Sequence, residues 1–255
     1  MHILLPPSEG KTPGGRGKPL SPDDSVLGRG RAAVLAGLDT LLAGDPAKAA
    51  DALLLPPGVA GDALAANAAI ARSRTMPALR RYAGVLYDGL AYQRLSPAAR
   101  KLAGRRAHIF SGLLGVVRGA DAVPNYRVPA KATLPGIGIA GTYWRPILTD
   151  VLSERLADGL IVDLRSSDYA AMWRPDKASA ERVVAVRILS KTPSGRYAVI
   201  SYNSKLAKGL LAAALLEAAA TGTKLDSADS VVQIWTSIGI QGETRNSNRV
   251  DLYTS

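Results

Sequence analysis

The chain has 255 residues, 47% of them hydrophobic and 21% charged, a globular composition that excludes a disordered chain. It contains no cysteine and only two histidines, His2 and His108. A disulfide scaffold, a thiol nucleophile, an iron–sulfur cluster and a thiolate or histidine-rich metal site are excluded, so no metal or cofactor is expected. Thirty-two basic residues against 21 acidic ones give a net charge of +11, and the surplus is concentrated. Residues 72–118 hold ten basic side chains (Arg72, Arg74, Arg80, Arg81, Arg94, Arg100, Lys101, Arg105, Arg106, Arg118) against Asp88 alone. Such a field draws in polyanions, and it is also what a solvated arginine-rich surface looks like.

In chain order, residues 1–5 read as a short buried strand. The start lacks a basic leader and breaks at Pro6, so it does not read as a signal peptide. Residues 6–24, rich in Gly, Pro and Ser, read as a loop. Apolar residues at helical spacing predict a helix over 26–43, stopped by Gly44, with alanine-rich helices at 46–55 and 58–72. Tyr82, Gly84, Tyr87 and Gly89 form a turn-rich aromatic element. Ser96 caps a helix that starts at Pro97 and ends at Gly104. Residues 111–117 predict a hairpin, and 118–135, broken by three prolines, reads as irregular. A helix at 146–157, a strand at 160–164 and a short helix at 167–173 come next. Strands at 182–189 and 196–202 are joined by the turn Thr192-Pro193-Ser194-Gly195. The remainder reads as a helix at 205–220 and strands at 231–234 and 250–253. No apolar run reaches the roughly 18–20 residues of a membrane span. The expectation is one α/β (mixed α+β) domain over 1–255, a mixed sheet with helices around it.

Two glycine patterns approach nucleotide-binding motifs and fail. Gly10-Lys11-Thr12 follows a strand, but Leu5 stands where a phosphate loop needs glycine, and Pro13-Gly14-Gly15 follows in place of a helix. Gly136-Ile137-Gly138-Ile139-Ala140-Gly141 has dinucleotide spacing, but a proline-rich segment precedes it and no helix is predicted inside it. The 111–117 hairpin lies between the basic helix and Arg118. Its Gly112 and Gly115 either let the backbone approach phosphates, as in a helix–hairpin–helix DNA-binding module, or serve ordinary close packing.

Three predicted strands end in polar clusters. These are Ser8, Glu9 and Lys11; then Arg165, Ser166, Ser167, Asp168 and Tyr169; then Tyr202, Asn203, Ser204 and Lys205, with Lys208 one turn on. Ligands of open α/β sheets bind beyond the carboxyl ends of strands, where helix N-termini converge. Lys205 and Lys208 near a helix start oppose its dipole, and a bound anion removes that conflict. Ser167, Asp168 and Ser204 equally suit plain helix caps. Arg127 beside Tyr126, and Tyr143-Trp144-Arg145, add groups that stack on bases or bind phosphate. Trp144 suits the core or a pocket wall better than a stacking platform.

Read in order, these segments resemble the YaaA (DUF328, UPF0246) family. The matching elements are Leu5-Pro6-Pro7-Ser8-Glu9-Gly10-Lys11-Thr12, residues 82–90 and 111–118, Pro124-Asn125-Tyr126-Arg127, Tyr143-Trp144, Asp163-Leu164-Arg165-Ser166-Ser167-Asp168-Tyr169, and residues 200–210. The resemblance implies a cytoplasmic bacterial protein tied to hydrogen peroxide resistance. It also implies DNA binding, a single α/β domain, a helix–hairpin–helix-like element and a positively charged cleft. The chain departs from the family pattern at Ser8-Glu9-Gly10, at Arg165-Ser166-Ser167, and in the turn at 134–138.

Two functions are expected. In a DNA-binding stress protein, Arg100, Lys101, Arg105, Arg106 and Arg118 contact phosphates, and Gly112 and Gly115 allow close backbone approach. In a metal-independent enzyme acting on a phosphorylated or nucleobase-like small molecule, Ser8, Lys11, Arg127, Ser166, Ser167, Lys205 and Lys208 hold the anion. Asp168 or Glu9 is then the general base, and Tyr169 or Tyr126 the proton donor.

Overall fold

In the computed structural model, which describes residues 1–21, 23–192 and 195–254, the chain opens with strand β1 (His2–Leu5), buried throughout. A strand covered on both faces reads as a continuous apolar run, and Ile3-Leu4-Leu5 is one. A loop leads to helices α1 (Val26–Leu42), α2 (Pro46–Ala52) and α3 (Pro57–Ala68). The side chains of Ser25 and Asp45 accept first-turn amides of α1 and α2. Next come β2 (Met76–Pro77), α4 (Ala78–Arg81), α5 (Val85–Leu90), α6 (Pro97–Arg106), β3 (Ala107–Ser111) and β4 (Gly115–Arg118). They are followed by β5 (Ala122–Val123), β6 (Thr133–Leu134), β7 (Gly138–Ile139), α7 (Ala140–Arg155), β8 (Ile161–Asp163), α8 (Ser167–Ala170) and α9 (Lys177–Ala180). The chain closes with β9 (Val183–Lys191), β10 (Tyr197–Ala198), α10 (Ser201–Ala220), α11 (Ala228–Ser237), β11 (Gly242–Asn246) and β12 (Arg249–Thr254).

The main sheet runs β11-β12-β9-β8-β1-β3-β4. Its five central strands are mutually parallel, and β11 and β4 are antiparallel edges. Strands β2 and β5, and β6 and β7, form separate ribbons. This is the expected mixed α/β class. Two neighbouring strands differ sharply in length: β8 has three residues and β9 has nine. Their pairing ends at Asp163↔Ala185, while β12 follows the other edge of β9 to Ser190. β10 pairs only with Ser190 and Lys191. The edge of β9 at 186–189 on the β8 side therefore has no strand beside it among the described residues, and the sheet is gapped at its carboxyl end.

One buried apolar cluster spans the sheet and its helices, with Ile3, Leu4, Leu5, Phe110, Trp144, Trp173 and Trp235 in it. Each fully buried Leu or Ile contributes about 1.5–3 kcal/mol before chain entropy is counted. Helix α10 packs on α5, α6, α11 and β9. It crosses α5 at two glycines. A β-carbon at Gly209 would collide with the Leu86 carbonyl oxygen and sit 2.7 Å from the Leu90 nitrogen, and one at Gly89 would meet the Leu206 carbonyl oxygen and the Gly209 α-carbon. Only hydrogen at both positions lets the backbones touch.

Several expectations are corrected. Residues 231–234 are helical, inside α11: a capping box of Ser227 and Ser230 starts the helix, and Ala228, Val231 and Trp235 bury one helical face. The β-branched pair Val231-Val232 suggested a strand, but packing overrides so weak a propensity. Helix α7 starts at Ala140, inside the glycine pattern 136–141, and Pro146 lies within it. The carbonyl that Pro146 leaves unpaired belongs to exposed Thr142, where water can satisfy it. The strand before α7 is a two-residue ribbon, not the strand of a βαβ unit. Helix α10 begins at Ser201, so Tyr202, Asn203 and Ser204 are helical and the expected strand at 196–202 shrinks to β10. Pro193 and Ser194 of the predicted turn lie outside the described residues. The hairpin at 111–117 forms, but it joins β3 to β4 within the sheet and β5 follows it. It is not a helix–hairpin–helix. The aromatic element at 82–90 contains α5. No helix among the described residues is long and apolar enough to cross a membrane.

Replacing Gly209 with alanine is expected to cost about 1–3 kcal/mol, the usual penalty of overpacking. Gly61→Ala, at an exposed position of α3 with open space around it, is expected to stabilise by about 0.5–1 kcal/mol. Urea unfolding of the two variants distinguishes contact from propensity.

Candidate functional site

A cavity of about 740 Å³ occupies the gap in the sheet, within the range of small-molecule sites. Four segments meet around it. The loop after β1 brings Ser8 and Glu9, the loop after β8 brings Arg165, Ser166, Ser167 and Tyr169, the uncovered edge of β9 brings Arg187, and α10 brings Ser201, Ser204, Lys205 and Lys208. Leu86 and Tyr87 of α5 form a wall, and the Tyr87 hydroxyl donates to the Pro6 carbonyl at 2.8 Å. The strand-end clusters at Ser8-Glu9, Ser166-Ser167 and Lys205-Lys208 are therefore brought together.

Arg165 organises the loop after β8. The residue is buried, and its guanidinium binds both Asp163 oxygens at 2.7 and 2.9 Å. It also donates to the carbonyls of Tyr169 and Trp173 at 3.2 and 3.3 Å and lies 4.4 Å from the Phe110 ring centre. A buried guanidinium saturated in this way holds a shape. Lys208 donates to the Arg165 carbonyl at 3.0 Å, which ties α10 to that loop. Burial holds its ammonium pKa below the usual lysine value, with Asp163 opposing. Lys205 is exposed and pairs with no carboxylate among the described residues.

Four predicted site residues do not line the cavity. Arg127 pairs with Glu9 at 3.0 Å. The Lys11 ammonium donates to the Ser8 carbonyl at 2.9 Å and lies 4.2 Å from the Tyr126 ring centre. Burial pushes its pKa down to about 7, with Glu9 opposing and the Arg127 and Arg81 charges adding. The Tyr126 hydroxyl is bonded to Tyr82 at 2.7 Å and Ser111 at 2.6 Å in the core, and burial holds it well above the ordinary phenol range. Asp168 pairs with Lys131 at 2.8 Å on the surface. Of the four acid–base candidates, Glu9 and Tyr169 reach the cavity. The Tyr169 phenol is also held above its usual value by burial, with the Glu9 charge adding.

A second, open groove of about 930 Å³ lies beyond Tyr82 and Tyr87. Arg16, Arg80 and Arg94 line it, with Asp88 as the only carboxylate in its lining, and Tyr87 borders both spaces. The residues expected to meet phosphates are scattered. Lys101, Arg105 and Arg118 are exposed, while Arg100 approaches the Gln93 carbonyl at 3.5 Å. Arg106 is engaged at the opposite end of the sheet, with both Asp158 oxygens at 2.8 and 3.0 Å and with His2 at 2.7 Å. Gly112 and Gly115 are buried. A β-carbon on Gly112 would press on the Pro129 carbonyl oxygen at 2.6 Å, and one on Gly115 (φ +72°) on the Trp144 ring at 2.7 Å. Their backbones approach the protein's own core. Arg81, part of the basic run, is wholly buried and donates to carbonyls of Val123, Gly14 and Arg74. Sequence reasoning missed Arg187, Ser201, Tyr87 and Arg16 as lining residues. Tyr87 and Ser201 fall in the family-matching segments 82–90 and 200–210, whereas nothing local to Arg187 or Arg16 signals a site.

The Lys11 amine binds fewer protons in the folded chain than in the unfolded one between about pH 7 and pH 10, so stability rises with pH across that window. Below pH 7 the folded state carries the full penalty of a charged, desolvated amine. The unfolding free energy of the parent is expected to gain on that of Lys11→Met, which cannot titrate, as pH rises from about 7 to about 9.5. Parallel slopes in urea titrations would show that Lys11 is ordinarily solvated.

Residues 1–230 match the family model described as peroxide stress protein YaaA. A UPF0246 protein of Streptomyces coelicolor is 40% identical over 246 residues, covering 95% of this chain and 92% of the relative. One of Corynebacterium efficiens is 40% identical over 224 residues, covering 84% of each, and one of Corynebacterium glutamicum is 32% identical over 259 residues, covering 99% and 98%. A match of this extent, running through the segments that border the strand-end cavity, places the chain in the YaaA (UPF0246) peroxide stress protein family.

Proposed function

We propose that the chain is a cytoplasmic DNA-binding protein of the hydrogen peroxide response, gripping the phosphate backbone with its arginine-lined groove. The observation that carries this reading is the composition of the groove: three arginines from three segments, against the single carboxylate of Asp88. Arginine forks suit phosphate oxygens, and a groove with one sign of charge concentrates a polyanion. Lys101 and Arg105 on α6, and Arg118, are exposed but do not line the groove. Gly112 and Gly115 take no part, because they are packed inside. Duplex binding is expected to fall with salt at a log–log slope near −0.9 per phosphate contact, and the double substitution Arg80→Ala, Arg94→Ala to reduce that slope by about 2. Binding that ignores salt, or that the double variant leaves unchanged, overturns the groove reading.

A second reading is favoured by the strand-end cavity: a site for a phosphorylated or nucleobase-like small molecule, with Glu9 as the candidate general base and Tyr169 the candidate proton donor. Its support is the meeting of α10, the β8 loop and the β1 loop around a recess whose lining holds four cations and one carboxylate. A ligand of this cavity is expected to raise the melting temperature of the parent by mass action and to do so less in Lys205→Ala. Duplex affinity should stay unchanged in that variant. A panel of nucleotides and sugar phosphates that shifts neither protein overturns it.

A further inference from the structure

One end of the strand-end cavity is built for a doubly charged oxyanion. Helix α10 is twenty residues long and starts with Ile200 at its cap position, so no side chain satisfies its first amides. The Ser204 amide is bonded to the Ile200 carbonyl at 2.8 Å, which leaves the amides of Ser201, Tyr202 and Asn203 without an intrahelical partner. Free amides and the helix dipole together favour an anion there.

A helix start alone is no site, and here a second observation points the same way. Ser204 lines the cavity, is 9% exposed, and its hydroxyl makes no hydrogen bond among the described residues. A serine inside a helix ordinarily turns its hydroxyl onto the carbonyl four residues back. This one does not; its oxygen is not among the fully enclosed polar atoms left without a partner, so it stays open toward the cavity. Lys205, next along the helix, is exposed and unpaired among the described residues, and Lys208 lies one turn on. Ser166 and Ser167 line the same cavity from the β8 loop.

We infer that this end of the cavity seats a phosphomonoester, its phosphate on the start of α10 between Ser201, Ser204, Lys205 and Lys208, and its organic part toward Leu86, Tyr87 and Glu9. The inference rests on the small-molecule reading of the cavity and goes beyond it by fixing the charged group and its orientation. A phosphomonoester carries about −1.5 to −2 charges at neutral pH, a match for two ammonium groups. An internal phosphodiester carries one charge and is flanked by chain on both sides, which a recess in the sheet does not admit. The group is therefore a terminal phosphate, either of a free nucleotide or sugar phosphate or of the 5′ end of a nucleic acid strand.

The test is calorimetric titration of the full chain with adenosine 5′-monophosphate, with adenosine, and with a short single-stranded oligonucleotide with and without its 5′-phosphate. The phosphorylated member of each pair is expected to bind at least about tenfold tighter, and Lys205→Ala and Ser204→Ala each to weaken it by about tenfold or more. Ser201→Asp puts a fixed negative charge where the phosphate would sit, at a position where an acidic residue favours a helix. It is expected to abolish phosphate-dependent binding without lowering the melting temperature, a combination that a purely structural role for Ser201 does not produce. A preference for the phosphorylated oligonucleotide over the nucleotide assigns the seat to nucleic acid ends, and the reverse preference assigns it to a metabolite. Equal binding of adenosine and its monophosphate, or phosphate-dependent binding that survives all three substitutions, overturns the seat while leaving the cavity reading in place. No binding of any probe overturns both.

Discussion

The contact on which the site depends is the touching of two helix backbones at Gly89 and Gly209. No side chain fits between them. Because α5 and α10 meet there, Leu86 and Tyr87 of one stand beside Ser204 and Lys208 of the other, and together they wall a cavity. The cavity exists because β8 stops after three residues while β9 runs on. A shorter helix separation or a longer β8 would fill it. The recess is thus a consequence of one strand length and one close crossing, and the polar groups in it are set by which residues end each strand.

Charge is handled in two different ways in this molecule. Arg165 and Arg81 are buried, and their donors are spent on a carboxylate and on backbone carbonyls. They act as braces for the loops after β8 and β1. Such groups add little net stability relative to apolar packing, yet removing either partner of the Arg165–Asp163 pair leaves a costly orphan. The arginines of the groove and Lys205 at the cavity are different. They are presented to solvent with few internal partners, which keeps them available to an external anion. Sorting basic residues by what already satisfies them separates scaffold from interface far better than counting charge along the chain. Arg81 and Arg106 lie in the most basic segment of the sequence, yet Arg81 is spent on carbonyls inside the protein and Arg106 on an ion pair with Asp158 at the surface.

Much of the fold was legible in the residues alone. The run Ile3-Leu4-Leu5 marked a buried strand, Ser96 marked a helix start, and the glycine-bearing hairpin at 111–117 was found where expected. Three polar clusters at strand ends pointed to the cavity, and Glu9, Ser166, Ser167, Lys205 and Lys208 do line it. The misreadings share one cause. Val231-Val232 and Tyr202-Asn203 carry strand-like or turn-like propensities worth less than the burial that packing provides, so neighbours decided their state. Lys11 and Asp168 belong to segments that border the cavity and Arg127 to one that does not, and all three side chains found partners elsewhere, in Ser8, Lys131 and Glu9.

Sequence by itself therefore determined the class of fold, the family, three of the chain segments that border the strand-end cavity and the excess of positive charge. Those properties rest on local pattern, on composition and on the order of motifs, all of which survive in one dimension. Tertiary structure alone decided which side chains face the recess, that Gly112 and Gly115 serve the core, and that α10 begins uncapped beside an unpaired Ser204. Each of these depends on a meeting between residues far apart in the chain, and whether a polar group is free for a ligand is settled only when every competing partner has been brought within reach.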